Sequence, residues 1–176
     1  MSTREQDTAE PTEPTGRERL EALEKTGEYL FHGSPSANIE EFEPRQAHDY
    51  DEQTKEAKPD GPPAVFAAPE ADIAIFRALV NGAHLVDKTR GHMSRMGVVT
   101  ENGQKNLHFA ANKNSLDGAR LPGTKGCVYV FRRSDFTRRE EPGKQSEWVS
   151  FVPVSPIETI TVKLADLPDD IEFLED

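Results

Sequence analysis

Tyr29-Leu30-Phe31-His32-Gly33-Ser34-Pro35 is the stretch on which the reading of this chain turns. Tyr29 to His32 predicts an apolar, aromatic strand that breaks at Gly33, with Ser34 following the break. Strand-to-turn junctions present side chains to ligands from a rigid backbone. A glycine at such a junction also permits close backbone approach. His32 is therefore either a core histidine beside a turn or a binding group, and two strand edges downstream bear on the choice.

Working outward, Arg17 to Lys25 carries Leu20 and Leu23 on one face and predicts a short helix beginning at Thr15 or Gly16. Residues 1–16, rich in Thr, Glu and Pro, predict a disordered segment. Asn38 to Pro44 alternates apolar and polar residues and stops at proline, like a short edge strand or an extended arm. Arg45 to Pro63 is polar and predicts a long mobile loop, of the kind that covers a site. Ala64 to Ala68 predicts a strand, and Pro69 opens an amphipathic helix carrying Ile73, Phe76, Leu79 and Val80 and ending near Gly82.

Further on, Val98-Val99-Thr100 and Leu107-His108-Phe109 flank Asn102-Gly103 as a hairpin. Asn112 to Gly126 predicts a loop, and Cys127 to Phe131 a strand buried on both faces. Glu147 to Pro153 and Ile157 to Leu164 predict two more strands before an acidic tail, Asp166 to Asp176. Strands outnumber helices in mixed order, which gives an α+β class. The domain is expected over 17–168, with a tail over 169–176.

Composition narrows the function classes. The formal net charge of -11 makes a phosphate backbone a poor default partner. A single cysteine, Cys127, excludes an intrachain disulfide framework and fits a reducing compartment, so a cytoplasmic location is expected. No apolar run approaches the ~20 residues that cross a bilayer, and no membrane partner is expected. His48, His84, His92 and His108 lack metal-ligand spacing, so no metal is expected. Arg132-Arg133 and Arg138-Arg139 form a basic cluster, either a solvated loop or a patch for phosphate or target docking.

Three positions sit where a strand meets a turn: His32, Phe66 and Glu147. A glutamate opening an apolar strand is a solvated end or a placed acid. Taken together, YLFHGSP, AVFAAPEADIAIF and SEWVSFVPV, with GCVYVF before the last, resemble the ADP-ribosyltransferase fold. The group resembled carries a His, an aromatic residue and a Glu on three strands. It includes the poly(ADP-ribose) polymerases, diphtheria-type toxins and rifamycin ADP-ribosyltransferases. The resemblance spans Tyr29 to Lys163 and implies a split mixed β-sheet with few helices.

It also implies an enzyme that cleaves the nicotinamide–ribose bond of NAD, its co-substrate, and transfers ADP-ribose to an acceptor. That acceptor is an unidentified protein, small molecule or nucleic acid. Bond cleavage develops an oxocarbenium-like cation, which a fixed carboxylate stabilises mainly in the transition state. By resemblance Glu147 is that carboxylate, acting through a ribose hydroxyl. His32 binds the adenosine ribose, the Gly33 backbone holds the nicotinamide amide, Ser34 assists, and Phe66 stacks on nicotinamide. The family usually carries tyrosine where Phe66 falls, so the resemblance implies either slower catalysis or compensation by a nearby residue such as Tyr50. Gln145 and Glu147 match a Gln-x-Glu spacing used to choose the acceptor, and on a strand they would share a face.

Two rivals follow. A non-catalytic module of this fold would keep the pocket for NAD, ADP-ribose or a protein partner. An RNA 2′-phosphotransferase-like enzyme is disfavoured by the acidic charge and missing basic motif residues.

Overall fold

The computed structural model describes residues 12–51 and 53–175. The disorder expected over residues 1–16 falls mostly outside them. Of the remainder, Thr15 caps the first helix and Gly16 opens it. That helix, α1 (Gly16–Thr26), starts with a reciprocal box. The Thr15 hydroxyl accepts from the Glu18 amide at 3.1 Å, and the Thr15 amide donates to Glu18 Oε2 at 2.7 Å. Its apolar edge, Leu20 and Leu23, is buried.

The chain then runs β1 (Tyr29–Ser34), β2 (His48–Asp51), β3 (Glu56–Pro59), β4 (Val65–Ala67) and α2 (Ala71–Leu79). The long hairpin β5 (Ser94–Glu101) and β6 (Gln104–Asn112) follows, then α3 (Lys113–Arg120) and β7 (Lys125–Arg132). The last strands are β8 (Thr137–Arg138), β9 (Trp148–Ser150), β10 (Glu158–Lys163) and β11 (Ile171–Leu174). The fold is α+β. Among the described residues no helix is long and apolar enough to cross a membrane.

β7 is the wall between two cores. It lies between β1 and β10, antiparallel to both. Val128 and Val130 face α1 and α2 with Phe31, Phe76 and Val162. Tyr129 and Phe131 face the other way, onto Leu30, Val65 and Phe136. A continuous apolar run is what a strand with two dry faces requires. β4, β9 and β8 form a second set of antiparallel strands. Among the described residues the backbones of the two sets pair at one bridge, Phe31 with Ala68, whose amides and carbonyls exchange bonds of 2.8 and 2.9 Å. Beyond that bridge β1 and β4 part.

Several expectations need correction. β1 does not break at Gly33 but continues to Ser34. Gly33 is demanded by packing, since a Cβ there would lie 1.8 Å from the Ala74 carbonyl oxygen of α2. The polar stretch 45–63 holds the hairpin β2–β3, whose side chains are largely exposed and carry no apolar alternation to betray it. Of the two readings of Asn38 to Pro44, the edge strand does not form: among the described residues the segment makes a single bridge, Phe42 with Val154, and no ladder.

The loop expected over 112–126 contains α3, where Asn112 Oδ1 accepts from the Ser115 amide at 3.2 Å as a cap. α2 begins two residues after Pro69. The strand expected from Glu147 begins at Trp148 and stops at Ser150. The acidic tail supplies β11, which pairs parallel with β6. The Asn-Gly hairpin forms as expected, with φ of 51° at Asn102 and 76° at Gly103, the left-handed pair a two-residue turn needs.

Candidate active site

The parting of β1 and β4 opens a cavity of about 190 Å³. It is lined by His32, Gly33, Phe66 and Glu147, together with Arg77 and Met96. Four of the residues marked in the sequence thus meet at one place, from three segments far apart in the chain.

His32 holds the gap open. After the Phe31–Ala68 pair, the antiparallel alternation would next bond Gly33 to Phe66. Instead His32 Nδ1 lies 2.7 Å from the Phe66 carbonyl oxygen. A carbonyl can only accept, so Nδ1 carries the proton and Nε2 is the acceptor of a neutral ring. Burial pushes the His32 pKa below its ordinary value. An edge-to-face contact with Phe42 at 4.9 Å fixes the ring. By the same alternation, the Gly33 amide and carbonyl turn away from β7 and into the gap.

Ser34 lies elsewhere. Its hydroxyl accepts from the Ser36 amide at 3.1 Å, and it lines an adjoining cavity that shares His32, Phe66 and Arg77 with the first. Phe66 is half-buried, because Val65 and Ala67 take the core face of β4. The Arg139 guanidinium sits 5.8 Å from its ring centroid. Tyr50 is exposed and does not line the cavity, so it supplies no replacement phenol.

Glu147 sits in a turn immediately before β9, its amide donating to the Lys144 carbonyl at 2.9 Å. Its Oε2 accepts from Arg139 Nη1 at 3.0 Å, and its backbone carbonyl accepts from the Arg139 amide, also at 3.0 Å. Arg139 is nearly buried and binds Asp60 with both terminal nitrogens, at 2.9 and 2.8 Å, and Glu141 as well. Lys144 joins Asp60 to Asp49. Hydrogen bonds from Arg139 and then Lys144 hold the Asp60 carboxyl well below the usual carboxylate range. These ion pairs tie the β2–β3 hairpin to the turn that carries Glu147. Oε1 of Glu147 has no protein partner among the described residues.

Gln145 is not brought alongside Glu147. Both precede the strand, so the alternation of strand faces does not apply, and Gln145 Oε1 accepts instead from the Gly143 amide at 3.0 Å. Gln145 lines a separate groove.

Arg77 went unmarked in the sequence, although it is the one cation on the largely apolar helix α2, four residues after Ile73. Its Nε donates to Met96 Sδ at 3.2 Å, and it attracts Glu147 across the cavity. Two histidines outside the cavity bond to protein atoms: His84 Nε2 lies 3.1 Å from the Ala78 carbonyl, and His92 Nδ1 lies 2.8 Å from Ser115 Oγ.

No protein-family model, curated protein or solved structure matches this chain. Function therefore rests on the cavity itself. The arrangement offers one acceptor nitrogen, an exposed strand amide and carbonyl, an aromatic ring, a cation and an oriented carboxylate. Such a set suits a polar ligand with an aromatic ring and a negative charge.

Proposed function

We propose that the chain is an NAD-dependent ADP-ribosyltransferase with an ADP-ribosyltransferase-like split sheet. The observation that carries this reading is the convergence of His32, Gly33, Phe66 and Glu147 on the gap between β1 and β4. The gap cavity suits a nicotinamide ring. The adjoining cavity, reached past His32 and Arg77, leaves room for the remainder of the dinucleotide.

In this reading Phe66 stacks on the nicotinamide, and the Gly33 amide and carbonyl bind its carboxamide. His32 Nε2 accepts from a ribose hydroxyl, and Arg77 faces the diphosphate as a guanidinium suited to phosphate. Glu147 Oε1 accepts from a hydroxyl of the ribose that gains positive charge, while Arg139 fixes the other oxygen. The glycosidic C1′–N bond breaks with both electrons leaving on the nicotinamide nitrogen. A nucleophile of the acceptor then bonds to C1′ and loses its proton. A preorganised carboxylate acting on charge that develops only then is an effective use of binding energy. The single buried Cys127 fits a reducing compartment such as the cytoplasm.

Incubation with NAD, following free nicotinamide, tests the proposal. Release that depends on Glu147 supports it, and its absence from a folded preparation that binds NAD refutes it. The second reading, a binding module, is favoured by the Arg139–Glu147 ion pair and by the lack of a phenol at Phe66. It expects NAD or ADP-ribose to bind without turnover.

A further inference from the structure

We propose that the groove on the far side of the Glu147 turn binds a small phosphomonoester, the acceptor of the ADP-ribosyl group. The acceptor role rests on the proposed transferase activity; the binding site does not. The groove has a volume of about 340 Å³ and shares Ser146 with the walls of the Glu147 cavity. Arg133, Arg138, Lys105 and Trp148 line it, as do Glu24 and Glu70.

Neighbouring arginines make the argument. Arg139 is saturated by three carboxylates. Arg138, one residue earlier, has Nε anchored on the Gln145 carbonyl at 2.6 Å, and its terminal nitrogens meet no carboxylate among the described residues. The Arg133 guanidinium stands over the Trp148 ring, 5.0 Å from its centroid, in a cation–π contact. Among the described residues its buried Nε has no hydrogen-bond partner, nor has Glu70 Oε2 on the same groove. Lys105 reaches Glu70 only at 3.7 Å and is otherwise exposed. In a chain with 32 acidic and 21 basic residues, two arginines that make no ion pair among the described residues stand beside one cavity, with Glu70 the carboxylate that Arg133 attracts, and an anion would complete their hydrogen bonding.

A phosphomonoester fits better than a carboxylate, because two charges and three oxygens match the three cationic side chains Arg133, Arg138 and Lys105. A small molecule fits better than a nucleic acid strand. Glu24 and Glu70 flank the cations, and the net charge of -11 repels a polyanion at long range. With the phosphate held here, a hydroxyl of the same molecule reaches past Ser146. Its oxygen forms the bond to C1′, the C1′–N bond breaks onto nicotinamide, and the hydroxyl proton passes to solvent.

Trp148 is the only tryptophan in the chain, so its emission reports this groove without NAD. Glycerol 3-phosphate at constant ionic strength should change that emission saturably. Arg138→Gln, which leaves the Arg133–Trp148 contact in place, should weaken binding about tenfold. Calorimetry on Arg133→Gln should give a similar loss. An identical response to sodium chloride of matched ionic strength would overturn the site, and tighter binding of a single-stranded RNA would overturn the small-molecule assignment. In the presence of NAD, glycerol 3-phosphate should raise nicotinamide release several-fold in the unmutated protein. Saturable binding without any such rise removes the acceptor role. A chain that releases nicotinamide but gives no Trp148 response retains the transferase reading and loses the groove.

Discussion

The two three-stranded sheets beside the cavity, each one half of its frame, are held together by different forces. In β10–β7–β1, Val128, Tyr129, Val130 and Phe131 are fully buried, and shape and apolar area do the work. In β4–β9–β8 the strands are three residues or shorter, and an ion network of Arg139, Asp60, Glu141, Glu147 and Lys144 joins the flanking loops. His32 and Gly33 stand on the first half, and Glu147 is held by the second. The cavity therefore has one wall that is rigid by packing and one that is positioned by charge, which makes the second wall the one to perturb.

Arg139→Met should have the largest effect, because it leaves Asp60 nearly buried without its main partner. Breaking one side of such a pair costs about 3–5 kcal/mol. Replacing both sides, Arg139→Met with Asp60→Asn, should restore most of that stability, as measured by urea unfolding. A single variant as stable as the unmutated chain would show that packing, not charge, holds this half together.

Next is Glu147→Gln, which keeps the side chain's shape and removes its charge. If NAD cleavage is the activity, turnover should fall at least ~100-fold, or ~2.7 kcal/mol, with NAD binding retained. Unchanged nicotinamide release would take Glu147 out of the chemistry.

Acid should separate the halves without mutation. The Asp60 pKa is depressed in the folded state, so its contribution is complete above the unfolded carboxyl value near ~4 and is lost as pH falls below it. His32 is also depressed, so the unfolded chain takes its proton first, and stability declines as pH falls below ~6.5. Urea midpoints across this range should show both declines. The Arg139→Met, Asp60→Asn double variant should lose the lower one and keep the upper.

What the sequence disclosed follows the same division. The packed half is written in apolar runs: Cys127 to Phe131 as a strand with two dry faces, Leu20 and Leu23 as a helix face, Asn102-Gly103 as a turn. The charged half is not. The β2–β3 hairpin has no apolar alternation, and its attachment depends on Asp60 meeting Arg139 from 79 residues away. α3 was hidden because Gly118 and a polar composition mimic a loop, while its signal was the Asn112 cap. Gln145 was misplaced because strand periodicity was extended into a turn. The site residues nearest the packed wall, His32, Gly33 and Phe66, were legible from strand edges. Arg77 and Arg139 acquire meaning only once the chain has folded around them.

The smallest expected effect tests the ring between the two walls. Phe66 faces the cavity and lies under Arg139, so it belongs to both halves. If its face stacks on nicotinamide, Phe66→Tyr should be tolerated, since the cavity is built for a polar ligand. A recovered hydrogen bond of ~1 kcal/mol would raise activity about fivefold. Phe66→Ala should weaken NAD affinity by ~2–3 kcal/mol through lost stacking and area. It should also lower stability slightly, because the guanidinium of Arg139 loses the ring beneath it. If Phe66 were ordinary core, the tyrosine would bury an unpaired hydroxyl and melt early, with NAD affinity unaltered. NAD titration and thermal melting of both variants distinguish the outcomes. An early-melting tyrosine variant with unchanged affinity would move Phe66 out of the site and leave the carboxylate without its aromatic partner.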